Sequence, residues 1–271
     1  MKSRMMKKIA ILTYILSFGF TANAQIEQLW KTDYQITSDT FNTFGYKTDS
    51  AGNFYLYGWQ HNRVFLQKHD VNGAIEWTLN NDSSIANIEV TGVYVPTSNA
   101  RLTDIVFDNE SNIFITGLSS QQNFSDPHAS SHFFISKINS SAAILWKTNY
   151  SNHFDSLGFT KWNHSPKIRL SKSNHEIYIS YDRLYSPIIC NGQYDTDFGI
   201  VQLDSSGNLL WNRDFLGDST YCSKDIITSI FVKDTLITLS GFSTSPYPSQ
   251  SKLINFKLDK NGNLINRAEE K

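Results

Sequence analysis

Alanine and long apolar runs are scarce in most of this 271-residue chain. Only eight alanines follow residue 24, and no heptad or long stripe of 3.6-residue period is present. Phe, Tyr, Ile, Thr, Ser and Asn are abundant instead, and these residues favour strands and turns. No apolar run beyond residue 24 approaches the ~20 residues that a membrane-spanning helix requires. The composition therefore predicts an all-β chain with no transmembrane segment in its mature part.

Sequence signatures of catalysis are also missing. The chain contains no Gly-x-Ser-x-Gly elbow, no His-Glu-x-x-His, no phosphate-binding loop and no Cys-x-x-Cys. These absences favour a non-enzymatic protein that uses no cofactor. Paired carboxylates for glycoside hydrolysis leave no sequence motif, so an enzyme remains the alternative.

A short basic and apolar segment opens the chain. Four Lys or Arg residues precede a largely apolar run at 9–20, and Ala-Asn-Ala at 22–24 fits a signal peptidase site. A run of this length is too short to anchor the chain in a bilayer. We therefore predict a signal peptide over 1–24 and a mature chain over 25–271, secreted, periplasmic or held at the cell surface.

The charge balance of the mature chain argues against one class of partner. Removing the four basic residues of 1–24 from 24 Lys and Arg leaves 20 against 25 Asp and Glu, a formal net charge of −5. Surfaces that bind nucleic acid are normally basic. We therefore expect no nucleic-acid partner.

The chain has only two cysteines, Cys190 and Cys222. In an exported protein such a pair commonly oxidises, and two cysteines allow a single connectivity. We expect a disulfide, with two buried free thiols as the alternative.

A turn motif recurs along the chain, with Asp first and Gly three residues later. The Asp carboxylate can accept hydrogen bonds from backbone N–H groups of its own turn, and the Gly can adopt the positive φ that reverses the chain. Apolar alternation on both sides predicts a β-hairpin at each copy. The four glycines are Gly52, Gly73, Gly207 and Gly262.

Two kinds of hairpin alternate with a period of about sixty residues. One contains an apolar strand that we expect to close at a Gly, as in 54–58, 113–117 and 237–241, with 177–181 as a degenerate copy. The other leads into a Trp seven residues after an Asp or Asn. We interpret these Trp residues as filling space between neighbouring repeats rather than stacking on a ligand. They are Trp77, Trp146 and Trp211, and Trp30 occupies a similar sequence context near the N-terminus.

Together the hairpins predict four repeats of four strands each, at about 41–80, 101–149, 166–214 and 225–267. Groups of four short strands are typical of β-propeller blades, which must stack to bury their faces. The segment around Trp30 is surplus to four blades, and residue 266 is Asn where the pattern expects Trp. We therefore expect a β-propeller-like array that is incomplete or open.

The pattern Asp-x-x-Gly-Asn-aromatic-Tyr-x-x-Gly, followed by Lys-x-Asp-x-x-Gly-x-x-x-Trp, resembles the bacterial β-propeller repeats called SBBP. It is also similar to quinoprotein-like propeller repeats. Here it runs from Asp49 to Gly58 and from Lys68 to Trp77. The resemblance implies an exported or cell-surface propeller and leaves the ligand open, since one fold hosts many functions.

Loops that follow the Gly-containing strands and the Trp strands should share one end of the array. That end would gather possible metal ligands, although their spacing matches no established motif, so we predict no metal site. Aromatic and acidic residues in the same loops could hold carbohydrate or peptide. The histidines concerned are His128, His132, His153 and His164.

Two functional hypotheses follow. The first is an exported, non-enzymatic propeller with a binding or scaffold role toward carbohydrate or protein. The alternative is a propeller enzyme acting on carbohydrate or using a quinone or metal cofactor. A cluster of His, Asp or Arg at the centre of the array would favour the enzyme.

Overall fold

The computed structural model describes twelve stretches of the chain, all within one compact unit, Tyr34–Lys271. They are residues 41–61, 63–80, 88–90, 93–95, 99–120, 131–150, 160–161, 166–171, 176–190, 193–215, 224–246 and 249–270. These stretches contain strands and turns and no helix. The predicted signal peptide and Trp30 lie outside them.

The strands of the first half of the chain are β1 (Phe41–Thr48), β2 (Phe54–Gln60), β3 (Arg63–His69), β4 (Ile75–Asn80), β5 (Ile88–Val90), β6 (Val93–Val95), β7 (Asn99–Phe107), β8 (Ile113–Ser120), β9 (Ser131–Ile138) and β10 (Ile144–Tyr150). Those of the second half are β11 (Thr160–Lys161), β12 (Lys167–Leu170), β13 (Ile177–Cys190), β14 (Gln193–Leu203), β15 (Leu209–Phe215), β16 (Lys224–Lys233), β17 (Leu236–Pro246), β18 (Ser249–Leu258) and β19 (Leu264–Glu270).

Sixteen of these strands form four antiparallel units in chain order. Sheet 1 is β1-β2-β3-β4, sheet 2 is β7-β8-β9-β10, sheet 3 is β12-β13-β14-β15 and sheet 4 is β16-β17-β18-β19. A single parallel bridge between Thr196 and Lys224 connects sheets 3 and 4, β11 pairs with β13, and β5 pairs with β6. The predicted fold class is confirmed: the described chain is an all-β, propeller-like array of four four-stranded sheets.

The Asp-to-Gly turns share one geometry. In the first, the Gly52 N–H donates to the Asp49 carbonyl, while Asp49 Oδ1 accepts the backbone N–H groups of Ala51 and Asn53. The four turn glycines have φ between 77° and 85°, a region that costs other residues steric strain. Sheet 2 makes the same turn with Ser111 and Ala142 at positive φ, so its two turns carry no Gly signal.

A second set of glycines has a different role from the one that the sequence suggests. The strands do not close at Gly58, Gly117 and Gly241 but continue past them. Each of these glycines lies opposite a β-bulge in the first strand of its sheet. A Cβ on Gly117 would lie 2.0 Å from the Arg101 carbonyl oxygen, so only Gly allows the bulged strand to approach.

Three hydrophobic clusters hold the sheets together, one between each consecutive pair. Tyr55 and Tyr57 of sheet 1 pack against sheet 2, and Phe133 of sheet 2 packs against sheet 3. Phe198 of sheet 3 meets Phe256 of sheet 4 with ring centroids 4.7 Å apart. Among the described residues, none of these clusters joins sheet 4 to sheet 1. The described sheets are therefore an open array and not a closed ring.

The recurring tryptophans lie at the same place in three sheets. Trp77, Trp146 and Trp211 each pack at the edge of the cluster that their sheet shares with the next one. The Trp77 indole N–H donates to the Ser140 carbonyl at 2.9 Å, and that of Trp211 donates to the Lys260 carbonyl at 3.1 Å. Each ring therefore contacts the turn between the third and fourth strands of the following sheet.

Candidate functional site

The loop residues predicted as candidate ligands fall outside what the structure describes. His128, His153 and His164 lie in undescribed segments, and the backbone of His132 belongs to β9 without a described side chain. Cys190 ends β13, but its side chain and all of Cys222 are undescribed. Their roles, including the disulfide, stay predictions. Among the described side chains, no group of three or more His, Cys, Asp or Glu is arranged to hold a metal ion.

The first strands of sheets 1, 2 and 3 bring charged side chains together instead. Lys47 on β1 reaches Asp104 on β7, with Nζ 2.6 Å from Oδ1. Arg169 on β12 approaches the other oxygen of the same carboxylate, with Nη1 3.1 Å from Oδ2. One buried aspartate thus connects three consecutive sheets. We call these three side chains the inner charge cluster.

Backbone groups complete the surroundings of this carboxylate. The N–H groups of Ile105 and Ile168 donate to Asp104 from 3.0 Å each, and the Tyr57 hydroxyl also bonds to it. Burial lowers the pKa of Lys47 even though Asp104 opposes that change, and burial raises the pKa of Tyr57. A carboxylate that accepts this many hydrogen bonds is occupied by its own protein and has little capacity left for a substrate.

The inner charge cluster therefore acts as a structural connection between sheets. Asp104 is 3% exposed, which leaves its oxygens out of reach of a bulky ligand. A neighbouring polar contact has the same character, because the Thr103 hydroxyl donates to the Pro166 carbonyl of the next repeat at 2.9 Å. In a buried setting, such satisfied polar networks fix how neighbouring elements pack.

A second aspartate connects sheets 3 and 4. Asp182 on β13 accepts the Ile227 N–H of β16 at 3.3 Å, and Asp225 lies two residues before Ile227. Both aspartates are buried. Burial is the largest effect on Asp182 and raises its pKa to about 7, against the opposing effects of the Ile227 N–H and Lys167 and with a further increase from Asp225.

The described part also has an aromatic and polar surface where β1 begins and β2 ends. Phe44 lies 5.2 Å from Trp59 between ring centroids, and the Arg101 guanidinium lies 4.9 Å from the Trp59 centroid. Gln60 follows Trp59, and its Oε1 accepts the Asn80 amide at 2.5 Å. We call Phe44, Trp59, Gln60, Asn80 and Arg101 the aromatic patch. All five are at least partly accessible to solvent.

The chemistry of this patch suits recognition rather than catalysis. Aromatic rings offer an apolar face, and a guanidinium with two amides offers directional donors and acceptors. Phe44 is 39% exposed, so its ring is available for contact. Carbohydrates and peptides present the matching combination of apolar faces and polar edges.

Comparisons with known proteins give a structural likeness to report. No family model matches the chain, and no curated protein sequence does. Among solved structures, a mutant of the Cellvibrio cellulosa alpha-L-arabinanase superposes with a TM-score of 0.40 at 12% identity, covering 81% of this chain and 74% of that chain.

Sequence reasoning did not find the inner charge cluster. Its members carry no local motif, because they are separated by 57 and 65 residues. Those separations are each about one repeat, however. A charged residue recurring on the first strand of successive repeats was the available signal.

Proposed function

We propose that this protein is an exported, non-enzymatic binding or scaffold protein whose aromatic patch contacts carbohydrate. Export is supported by the basic start, the apolar run and the Ala-Asn-Ala sequence at 22–24. Binding is supported by the patch itself, which combines an exposed Phe44 with a guanidinium above Trp59. The resemblance to SBBP-type repeats supports the same setting.

One observation carries the preference for binding over catalysis. The described carboxyl group whose pKa is raised to about 7, that of Asp182, is in the wrong place for a substrate. Asp182 has a pKa near 7, which suits a general acid, but it is 2% exposed and its neighbour Asp225 is 1% exposed. Glycoside hydrolysis requires two carboxyl groups on either side of an accessible bond. Neither residue offers that access.

A binding experiment tests the proposal directly. The exported chain is screened against immobilised polysaccharides, and the best binder is titrated with wild type and with Phe44→Ala. Loss of one exposed aromatic contact should weaken binding about five- to tenfold, since ring contacts contribute about 1 kcal/mol. Phe231→Ala is the matched control, because Phe231 is 61% exposed on sheet 4, away from the patch.

The same samples test the enzyme alternative. Polysaccharides incubated with wild-type protein are assayed for new reducing ends. Hydrolysis that scales with protein concentration would support the carbohydrate enzyme and refute the proposal. Equal binding by wild type and Phe44→Ala would refute the role of the aromatic patch.

A further inference from the structure

Two buried aspartates, one on β13 and one on β16, lie where sheet 3 meets sheet 4. Asp182 pairs in register with Phe198, a member of the hydrophobic cluster between these sheets. Asp225 and Ile227 lie on β16, and Ile227 belongs to the same cluster. The Ile227 N–H bond to Asp182 therefore lies beside the hydrophobic cluster that joins the two sheets.

The Asp182 contact between sheets 3 and 4 has a counterpart between sheets 2 and 3, but the charges around the two aspartates differ. Asp104 accepts the Ile168 N–H of the next sheet just as Asp182 accepts the Ile227 N–H. Asp104 also has ion-pair contacts at 2.6 and 3.1 Å to two cationic side chains.

The charged groups near Asp182 have a different balance. In the described part of the chain they are Asp225 from β16 and Lys167 from β12. Some side chains near β13 are undescribed. They are those of residues 193–197 in β14, of Lys224 in β16 and of residues 183–190 in β13 itself. The charged group that the facing sheet supplies, Asp225, thus has the same sign as an ionised Asp182, whereas Lys167 of its own sheet has the larger and opposite effect on the Asp182 pKa.

We propose that the interface between sheets 3 and 4 is a pH-responsive joint, closed while Asp182 is protonated and loosened when its carboxyl ionises beside Asp225. A neutral carboxyl is tolerated among apolar side chains, whereas an ionised one is not. Loosening of this interface gives the ionised Asp182 carboxylate access to water. The regulated element is sheet 4 with its exposed edge strand β19.

The direction with pH follows from linkage. The closed joint holds the Asp182 proton up to about pH 7, while an opened, hydrated Asp182 returns to its ordinary pKa of 3.8. The closed state therefore binds more protons between these values, and closure weakens as pH rises through that window. Between pH 5.5 and 8.5 the opening equilibrium should increase about ten- to thirtyfold.

Amide hydrogen exchange on the full chain measures this opening. Protection of the Ile227 amide is followed at pH 5.5 and 8.5 after correction for intrinsic exchange rates. The Ile168 amide, which bonds to Asp104, serves as the internal reference in the same molecule. We expect Ile227 protection to fall about ten- to thirtyfold relative to Ile168 as the pH rises.

Variants separate a titration from a general effect of pH. Asp182→Asn should abolish the relative change. Asp225→Asn should retain the change but move its midpoint to lower pH, because Asp225 raises the pKa of Asp182. Asp214→Asn is the control, because Asp214 also belongs to sheet 3 but accepts a different hydrogen bond, that of the Tyr181 hydroxyl at 2.6 Å. Equal behaviour of the two amides in wild type, or an unchanged response in Asp182→Asn, would overturn the proposal. Should Asp182→Asn fail to fold, the wild-type comparison and Asp225→Asn still decide.

Discussion

Replacing Asp104 by Asn tests whether the inner charge cluster holds three sheets together. The carboxylate accepts the Ile105 and Ile168 N–H groups at 3.0 Å and contacts Lys47 and Arg169. An amide keeps one acceptor oxygen and loses the negative charge. Two cations are then left beside a neutral group in a mostly buried place.

The expected cost follows from those contacts. Removing one partner of a buried ion pair costs about 3–5 kcal/mol. The side chains of Lys47 and Arg169 remain 28% and 35% exposed, so water screens part of the loss. We expect Asp104→Asn to destabilise the fold by about 3 kcal/mol. For a chain of this length that lowers Tm by about 6–12 °C.

Urea and thermal unfolding of the full chain at neutral pH provide the assay. Glu269→Gln is the control, because Glu269 pairs with Lys252 at 3.0 Å on an exposed surface and should cost less than about 1 kcal/mol. Adding Lys47→Met to Asp104→Asn should recover part of the lost stability, since one unpaired cation is removed. An Asp104→Asn protein that unfolds within about 1 kcal/mol of wild type would refute the structural role of the cluster.

Two further substitutions test the repeat itself. Gly117→Ala should destabilise by about 1–3 kcal/mol, because the new Cβ would overlap the Arg101 carbonyl oxygen in the bulge; equal urea midpoints for variant and wild type would contradict this account. Trp146→Ala should cost about 3 kcal/mol by removing the ring between sheet 2 and the Gly207 turn of sheet 3. A Trp146→Ala protein that melts like wild type would show that the ring is not part of the core.

The sheets could be predicted from the sequence because each hairpin carries its own local signal. An Asp followed by a Gly fixes a turn, and alternating apolar residues on either side fix the strands. The turns at Ser111 and Ala142 were harder, since non-Gly residues there adopt positive φ. Sheet 2 is still predictable because its strands and Trp146 keep the repeat spacing.

Neither the inner charge cluster nor the aromatic patch could be predicted, because each depends on contacts between residues from different repeats. Asp104 finds Lys47 and Arg169 only after three sheets stack, and no local pattern encodes their distances. The role of Gly117 depends on a neighbouring strand of its own sheet, and the local sequence around Gly117 does not show it. A Gly within an apolar strand looks like a strand end, whereas its partner is a bulge fifteen or so residues away in the neighbouring strand.

The two end faces of the array explain why sheet 4 does not meet sheet 1. On sheet 1, Tyr55 and Tyr57 face sheet 2. Gly58 and Gly241 occupy equivalent positions in sheets 1 and 4, since each lies opposite a bulge. Counting back from Gly241 in the same way gives Thr238 and Ser240 as the equivalents of the two tyrosines.

Other places on the same face of sheet 4 are polar too. Asn255 lies opposite Ser240 and accepts a hydrogen bond from its hydroxyl at 2.7 Å. Lys257 pairs with Asn266. The equivalent pair in sheet 1 is Lys68 with Trp77. A closed ring would press these groups against the face of sheet 1 that carries Phe54, Leu56 and Phe65. The polar residues of that face, Gln67 and His69, already bond to each other at 3.0 Å, so they offer few partners to the groups of sheet 4. Repeat arrays end in units with a polar outer face because no neighbour covers that face. Asn266 of sheet 4 stands at the place that Trp77 occupies in sheet 1, so the polar character of this face extends to the edge strand.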